Sequence, residues 1–286
     1  ELVDYFKGKE DLKNKKIRIL HELSFIDDPT RILRAVRFEQ RFRFKIEPLS
    51  LKCLRQSAER GMLAKVEPQR LRDDLILVLK EKDPLKEIRR LKGLAGFGFL
   101  SPRLVITART FELLGSLERQ IRWFRKAHPE RRSLDAWLVY LMGLMDTFSL
   151  SRANSVCCRF AFKKGEEKRI LDYKRIRPGQ LKILFKKNTL ASSVYAFLEP
   201  LSYEAILFLK AKYKNIFLQR HIQAFLKEFN HVRICLCGDD LLECGALPGP
   251  LFSKIFNKVL QARLDGLVCS REEELRLAKQ LLSKIK

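Results

Sequence analysis

Apolar residues recur along this 286-residue chain at spacings of three and four, the period of a helix with one buried face. Leu71, Leu75, Val78 and Leu79 form one such stripe, and Ile32, Leu33 and Val36 form another. Asp83-Pro84 reads as an N-cap with proline at the first helical position, and Leu85, Ile88 and Leu91 are the expected buried face of that helix. Gly93, Gly96 and Gly98, followed by Ser101-Pro102, interrupt the pattern and mark a boundary near residue 100. Further helices are expected through residues 103–230, with His128-Pro129 and Arg177-Pro178-Gly179 as connections. Beyond Gly238, Asp239 or Asp240 is expected to cap a short helix, Pro248-Gly249-Pro250 to turn the chain, and a helix to lie on each side of Asp265-Gly266. No Val/Ile-rich run is bounded by hairpin turns, and no internal repeat is visible. The pattern predicts an all-α, elongated multi-helix molecule. Its most apolar run, Ala136 to Met145, falls short of the ~18 residues that a membrane-spanning helix needs.

Charge changes the picture. Lys and Arg number 58 against 34 Asp and Glu, a net charge of +24. Such an excess opposes compaction unless a polyanion shares the surface; nucleic acid is the usual partner, and an anionic membrane surface is the alternative. The densest positive stretch holds Lys163, Lys164, Lys168, Arg169, Arg175, Arg177, Lys182, Lys186 and Lys187. These side chains can track RNA phosphates or form a plain solvated face. Trp123 and Trp137 can stack on bases or sit in the core. Seven cysteines, an odd number without a secretory signal, favour reduced thiols and a cytoplasmic location. Cys235, Cys237 and Cys244 lie near His231 but lack the C-x-x-C spacing of structural zinc, so no metal site is expected there. The chain opens at Glu1 with neither an initiator Met nor the order of a signal peptide, which suggests a piece of a longer protein.

Residues 27–38 read Asp-Asp-Pro-Thr-Arg-Ile-Leu-Arg-Ala-Val-Arg-Phe. As structure alone, this is a helix start with Asp28 at the N-cap, Pro29 at the first position and Thr30 and Arg31 in the first turn. A helical wheel sets Ile32, Leu33 and Val36 on one side and spreads Arg31, Arg34 and Arg37 over the other. By itself that is a capped amphipathic helix with a solvated basic face.

The surroundings add more. Asp4-Tyr5-Phe6, Gly8, Asp11-Leu12, Ile17-Arg18, His21-Glu22 and Ser24-Phe25 precede the motif; Arg41-Phe42, Phe44, Arg70-Leu71-Arg72-Asp73 and Asp83-Pro84-Leu85 follow it. Near the end stand Gly238, Asp240-Leu241, Gly245, Pro248-Gly249-Pro250, Leu264-Asp265-Gly266 and Arg271-Glu272. This ordered set resembles the class II tRNA nucleotidyltransferases, the CCA-adding and A-adding enzymes, over about half the chain. Little in residues 103–230 contributes to the match.

The resemblance implies that Asp28 and Arg31 read the nucleobase and that Arg34 and Arg37 contact the nucleotide. The chemistry is coherent. A carboxylate accepts from the exocyclic amine of cytosine or adenine, and a guanidinium donates to the adjacent ring nitrogen. Guanine and uracil present the reverse order, so one Asp/Arg pair admits C and A without a template. Asp27 stands where the family often has Glu, one methylene longer, which weakens its role in orienting Arg31. The resemblance further implies ATP and CTP as substrates, the acceptor and TΨC arm of tRNA as partner, and Mg²⁺ held by two carboxylates of a head domain upstream of the matched segment. No Gly-Gly plus Asp-x-Asp arrangement occurs here, and the adjacent pairs Asp73-Asp74 and Asp239-Asp240 point to different helix faces. The chain alone is therefore expected to transfer no nucleotide. The implied division is a head-to-neck connection over 1–22, a neck over 23–100, a body over 101–230 and a tRNA-binding tail over 231–286. A bacterial poly(A) polymerase fragment and a non-catalytic basic helical RNA-binding protein remain as alternatives.

Overall fold

A computed structural model describes residues 3–102, 104–129 and 134–283. In chain order its helices begin with α1 (Gly8–Lys13), α2 (Ser24–Asp27), α3 (Arg31–Phe42), α4 (Pro48–Glu59), α5 (Pro68–Leu79) and α6 (Pro84–Leu94). Next come α7 (Ala108–Ala127), α8 (Ala136–Leu144), α9 (Leu150–Arg159), α10 (Lys164–Arg175), α11 (Pro178–Leu181) and α12 (Ala191–Leu198). The last are α13 (Tyr203–Lys212), α14 (Ile216–Lys227), α15 (Gly238–Glu243), α16 (Pro250–Leu264) and α17 (Arg271–Ser283). The all-α expectation holds, apart from a two-residue parallel pair, β1 (Lys16–Ile17) with β2 (Lys45–Ile46). That pair is too short to show as alternation in the sequence. It forms because Arg43 takes a left-handed conformation (φ 56°) at the end of α3 and turns the chain back. Lys45 N then donates to Lys15 O and Glu47 N to Ile17 O, both at 2.9 Å.

Two compact units result. The first comprises residues 1–175 and 203–212, the second 176–202 and 213–286. In the first unit α3 buries Ile32, Leu33 and Val36 completely and packs on α5 and α6. Each such burial contributes about 1.5–3 kcal/mol. From Trp137 to Leu144 every residue of α8 is buried, so the apolar run of the sequence is a core helix. At its centre Gly143 lies so close to α7 that a Cβ would stand 2.8 Å from side-chain carbons of Leu114 and Leu117. In the second unit Leu236, Leu241, Ile255, Val259 and Ala278 form a core, and Asp265 accepts from Ser192 N (2.8 Å) and Oγ (2.6 Å) to fasten α12. Buried Glu274 accepts from Cys235 N at 2.8 Å and pairs with Arg263.

Three expectations are corrected. Helix α3 starts at Arg31 rather than Pro29, because Asp28 to Thr30 form a tight turn closed by Arg31 N to Asp28 O (3.1 Å) and Ile32 N to Pro29 O (3.0 Å). Leu85 is only half-buried, and Glu87 takes a fully buried place on α6. Cys237 is the N-cap residue of α15; Asp240 sits three residues inside and reaches back to Cys237 N at 2.8 Å. Among the described residues, no helix is long and apolar enough to cross a membrane.

Candidate nucleotide and RNA interface

The junction of α2 and α3 is built to hold one carboxylate. Ser57 of α4 donates to Phe25 O at 2.7 Å and fixes α2 from below. Asp28, the residue after α2, turns its Oδ1 back to accept from Thr30 N (3.2 Å) and Thr30 Oγ1 (2.7 Å). Arg70, at the start of α5, adds its Nη2 to the same oxygen at 3.3 Å. Oδ2 is left beside Arg31, whose Nε lies 3.9 Å away and whose Nη1 stands 3.5 Å from Ser24 O. Partial burial works against the charge of Asp28, but the Thr30 hydroxyl and amide together with Arg70 and Arg31 outweigh it and hold the carboxyl below its ordinary range. At neutral pH the site is thus an ionised acceptor next to a half-exposed guanidinium.

The other expected residues divide. Arg34, one turn on, is exposed. Arg37 is not on the solvated face; its side chain is 14% exposed, with Nε 3.6 Å from Glu81, which also takes Arg41 at 3.5 Å. Asp27 faces His21 at 3.8 Å rather than Arg31. Asp74, half-buried on α5, is pushed up by burial and by Asp28, against the opposing pull of Thr30, Arg34 and Arg37. Asp73 points outward and pairs with Arg72 at 2.8 Å. Sequence reasoning passed over Arg70, Asp74 and Glu81 as site residues, although Arg70 stood in a matched segment.

Of the basic stretch, Lys163, Lys164, Lys168 and Arg175 are exposed on the first unit, and Arg177, Lys182, Lys186 and Lys187 are exposed on the second. Arg169 is withdrawn from this set. It bonds Asp135 at 2.6 Å and the wholly buried Glu204 at 3.1 Å, so its charge is spent on anchoring α13. Trp137 stacks on Phe162 in the core, and Trp123 lies under Lys210 Nζ, 4.5 Å from its ring centre. Among the described residues, no group of three His, Cys, Asp or Glu side chains could hold a metal ion.

A helical scaffold that presents a fixed carboxylate beside a half-exposed guanidinium at one helix start, with exposed cations elsewhere, defines an all-α, strongly basic class of protein. Comparison with known proteins makes that class specific. No family model matches the chain. It is 31% identical over 285 residues to an A-adding tRNA nucleotidyltransferase of Geobacter sulfurreducens, which covers 98% of this chain and 32% of the relative. The Thermotoga maritima CCA-adding enzyme, solved in complex with tRNA, is 30% identical with a TM-score of 0.79, over 99% of this chain and 68% of that one. A CCA-adding enzyme solved with CTP is 30% identical with a TM-score of 0.80, over 99% of this chain and 66% of that one. The chain belongs to the class II tRNA nucleotidyltransferase family. It spans about a third of the length of the Geobacter relative.

Proposed function

We propose that this chain reads the incoming nucleobase and grips RNA for template-independent addition of CMP or AMP to the 3′ end of tRNA, in the cytoplasm. Asp28 carries this reading. Its Oδ1 is occupied by Thr30 and Arg70, and its Oδ2 stands beside Arg31, so the outward edge presents an acceptor next to a donor. That edge complements the amine and ring nitrogen shared by cytosine and adenine, and mismatches guanine and uracil. ATP and CTP are then the substrates, with Arg34 at the mouth of the site for phosphate or ribose and Arg37 behind it. The exposed cations of the two units serve the tRNA acceptor and TΨC arm. Residues 1–22, 23–100, 101–230 and 231–286 act as connection, neck, body and tail.

Mg²⁺ would supply phosphoryl-transfer chemistry, but the described residues do not offer a ligand set for it, and none of the steps assigned to them runs through the ion. The chain alone binds without transferring; incorporation of labelled ATP or CTP by it would overturn that part. Two titrations test the rest. ATP and CTP are expected to bind and GTP and UTP to fail. A tRNA lacking its CCA end and an acceptor–TΨC minihelix are expected to bind alike, and much better than oligo(A). If all three RNAs bind equally and fade together as salt is raised, the charge is only a polyanion grip and the tRNA reading is lost.

A further inference from the structure

Helix α8 carries two deeply placed donors with nothing to donate to. Trp137 and Tyr140 stand three residues apart on one side of the helix and are 5% and 4% exposed. Among the described residues, neither the indole N–H nor the phenolic O–H makes a hydrogen bond. Ser24 Oγ, Arg37 Nε and Glu87 Oε2 are also unsatisfied, but they are sealed off, whereas these two donors keep accessible surface. Both side chains line a cleft of about 490 Å³ within the first unit, between α8, α7 and the turn from α5 to α6. Lys80 of that turn holds its Nζ 6.0 Å from the Trp137 ring centre. Around the Tyr140 hydroxyl the charges are Glu118, Arg122 and Arg125 of α7 and Asp83 of the turn. Donors placed this deeply are normally paired, and two left open on one face are what a pocket offers a ligand.

The charges of the lining narrow the choice of ligand. It holds the acids Glu81, Glu118 and Asp135 and the cations Lys80, Lys82, Arg122 and Arg125, one positive charge in excess. Each acid is already matched: Glu81 by Arg37 and Arg41, Glu118 by Arg122 at 3.3 Å, and Asp135 by Arg169 at 2.6 Å. Lys80, Lys82 and Arg125 are exposed and make no ion pair among the described residues. A single excess charge beside three carboxylates suits a monoanion and disfavours a di- or polyanion. The rest of the lining, Pro84, Leu134 and Ala136 among it, is apolar.

We propose that this cleft binds a small carboxylate with an aromatic or aliphatic body, its oxygens accepting from Tyr140 and Trp137 and its charge facing Arg125. The indole nitrogen can only donate, and a carboxylate only accepts. Burial first, then Glu118 and Asp83, push the Tyr140 hydroxyl up to about 12 against the pull of Arg125 and Arg122, so it remains a donor at neutral pH. Asp28 and Arg31 do not line this cleft, and the proposal does not rest on base reading.

The full chain, titrated in a calorimeter with naphthoate and with its neutral counterpart naphthamide, tests this. Naphthoate is expected to bind and naphthamide to bind much more weakly. Tyr140→Phe and Arg125→Ala are each expected to weaken naphthoate by roughly tenfold, as loss of a hydrogen bond to a charged group does. Lys126→Ala, an equal loss of charge outside the lining, is expected to change nothing. Tyr140→Phe removes no contact within the chain, so its melting temperature is expected to match that of the unsubstituted chain. Absence of naphthoate binding by the unsubstituted chain, equal binding by Tyr140→Phe, or naphthamide binding as tightly as naphthoate overturns the proposal. Displacement of naphthoate by pyrophosphate or by a tRNA minihelix overturns it too, because the cleft would then belong to the RNA-facing surface.

Discussion

Helix α3 has two carboxylates near it with opposite fates. At its start Asp28 is partly exposed and receives the Thr30 hydroxyl and amide, Arg70 and Arg31, and it stays ionised. Farther along, Glu87 is more deeply buried and faces Glu81, Asp83 and Glu39 with Arg37 opposing them, and its carboxyl is pushed up to about 8. Both acids have an arginine of α3 as neighbour, so proximity to a guanidinium does not decide the outcome. What decides it is the count of donors that reach the oxygens after burial has acted. An ionised acceptor thereby stands at the start of α3, and a protonated acid of α6 stands beside its later turns.

The largest expected effect tests the acid. The folded pKa of Glu87 lies above its unfolded value, so the folded state binds more protons between about 4.5 and 8. The stability that Glu87 contributes is therefore full below about 4.5 and is lost as pH rises to about 8, with a slope of at most ~1.4 kcal/mol per pH unit. Glu87→Gln is expected to remove that slope in denaturant titrations across the window, leaving the variant more stable than the unsubstituted chain at pH 8. Equal slopes for both chains would mean that Glu87 is ionised when folded, and the contrast with Asp28 would vanish.

A smaller effect tests the acceptor. Asp28→Asn keeps the shape and the Thr30 contacts but places an amide donor where a carboxylate oxygen faced Arg31. One bidentate pair discriminates between bases by about 1–3 kcal/mol, so the preference for ATP and CTP over GTP and UTP is expected to fall roughly 5- to 150-fold. Arg31→Lys, which keeps the charge and loses the planar fork, is expected to fall in the same direction. Retention of full preference in both variants would place base reading elsewhere.

The sequence disclosed these two neighbourhoods unequally. The stripes Ile32–Leu33–Val36 and Leu71–Leu75–Val78–Leu79 were legible because a helix face repeats with a fixed period, whereas Asp28 and Arg31 stood out only through the resemblance of residues 27–38 and their surroundings to a family motif. Arg37 was drawn with Arg31 and Arg34 on a wheel, yet Glu81 from the α5–α6 turn pulls it inward, and a wheel holds no information about a neighbouring helix. Arg70 reaches Asp28 across 42 residues for the same reason. Glu87 did carry a local signal, since it lies three residues after Pro84 and four before Leu91 and so belongs to the buried face. Residue type argued for exposure there, and position won.

The smallest effect concerns the clamp that keeps Asp28 an acceptor. Arg70 meets Oδ1 at 3.3 Å, but its side chain is 62% exposed, so water and salt screen the pair. An exposed pair of this kind contributes about 0–1 kcal/mol, so Arg70→Ala is expected to lower stability by no more than that and base preference by about fivefold at most. The sign with pH follows from the depressed carboxyl. Stability from Asp28 is present above its ordinary value of 3.8 and is lost as pH falls through the folded value, so removing Arg70 should shrink the acid-side loss. Raising salt should shrink the difference between the two chains further. A drop in preference as large as that of Asp28→Asn would instead make Arg70 a direct contact to the nucleotide, and the division between a held oxygen and a reading oxygen would have to be redrawn.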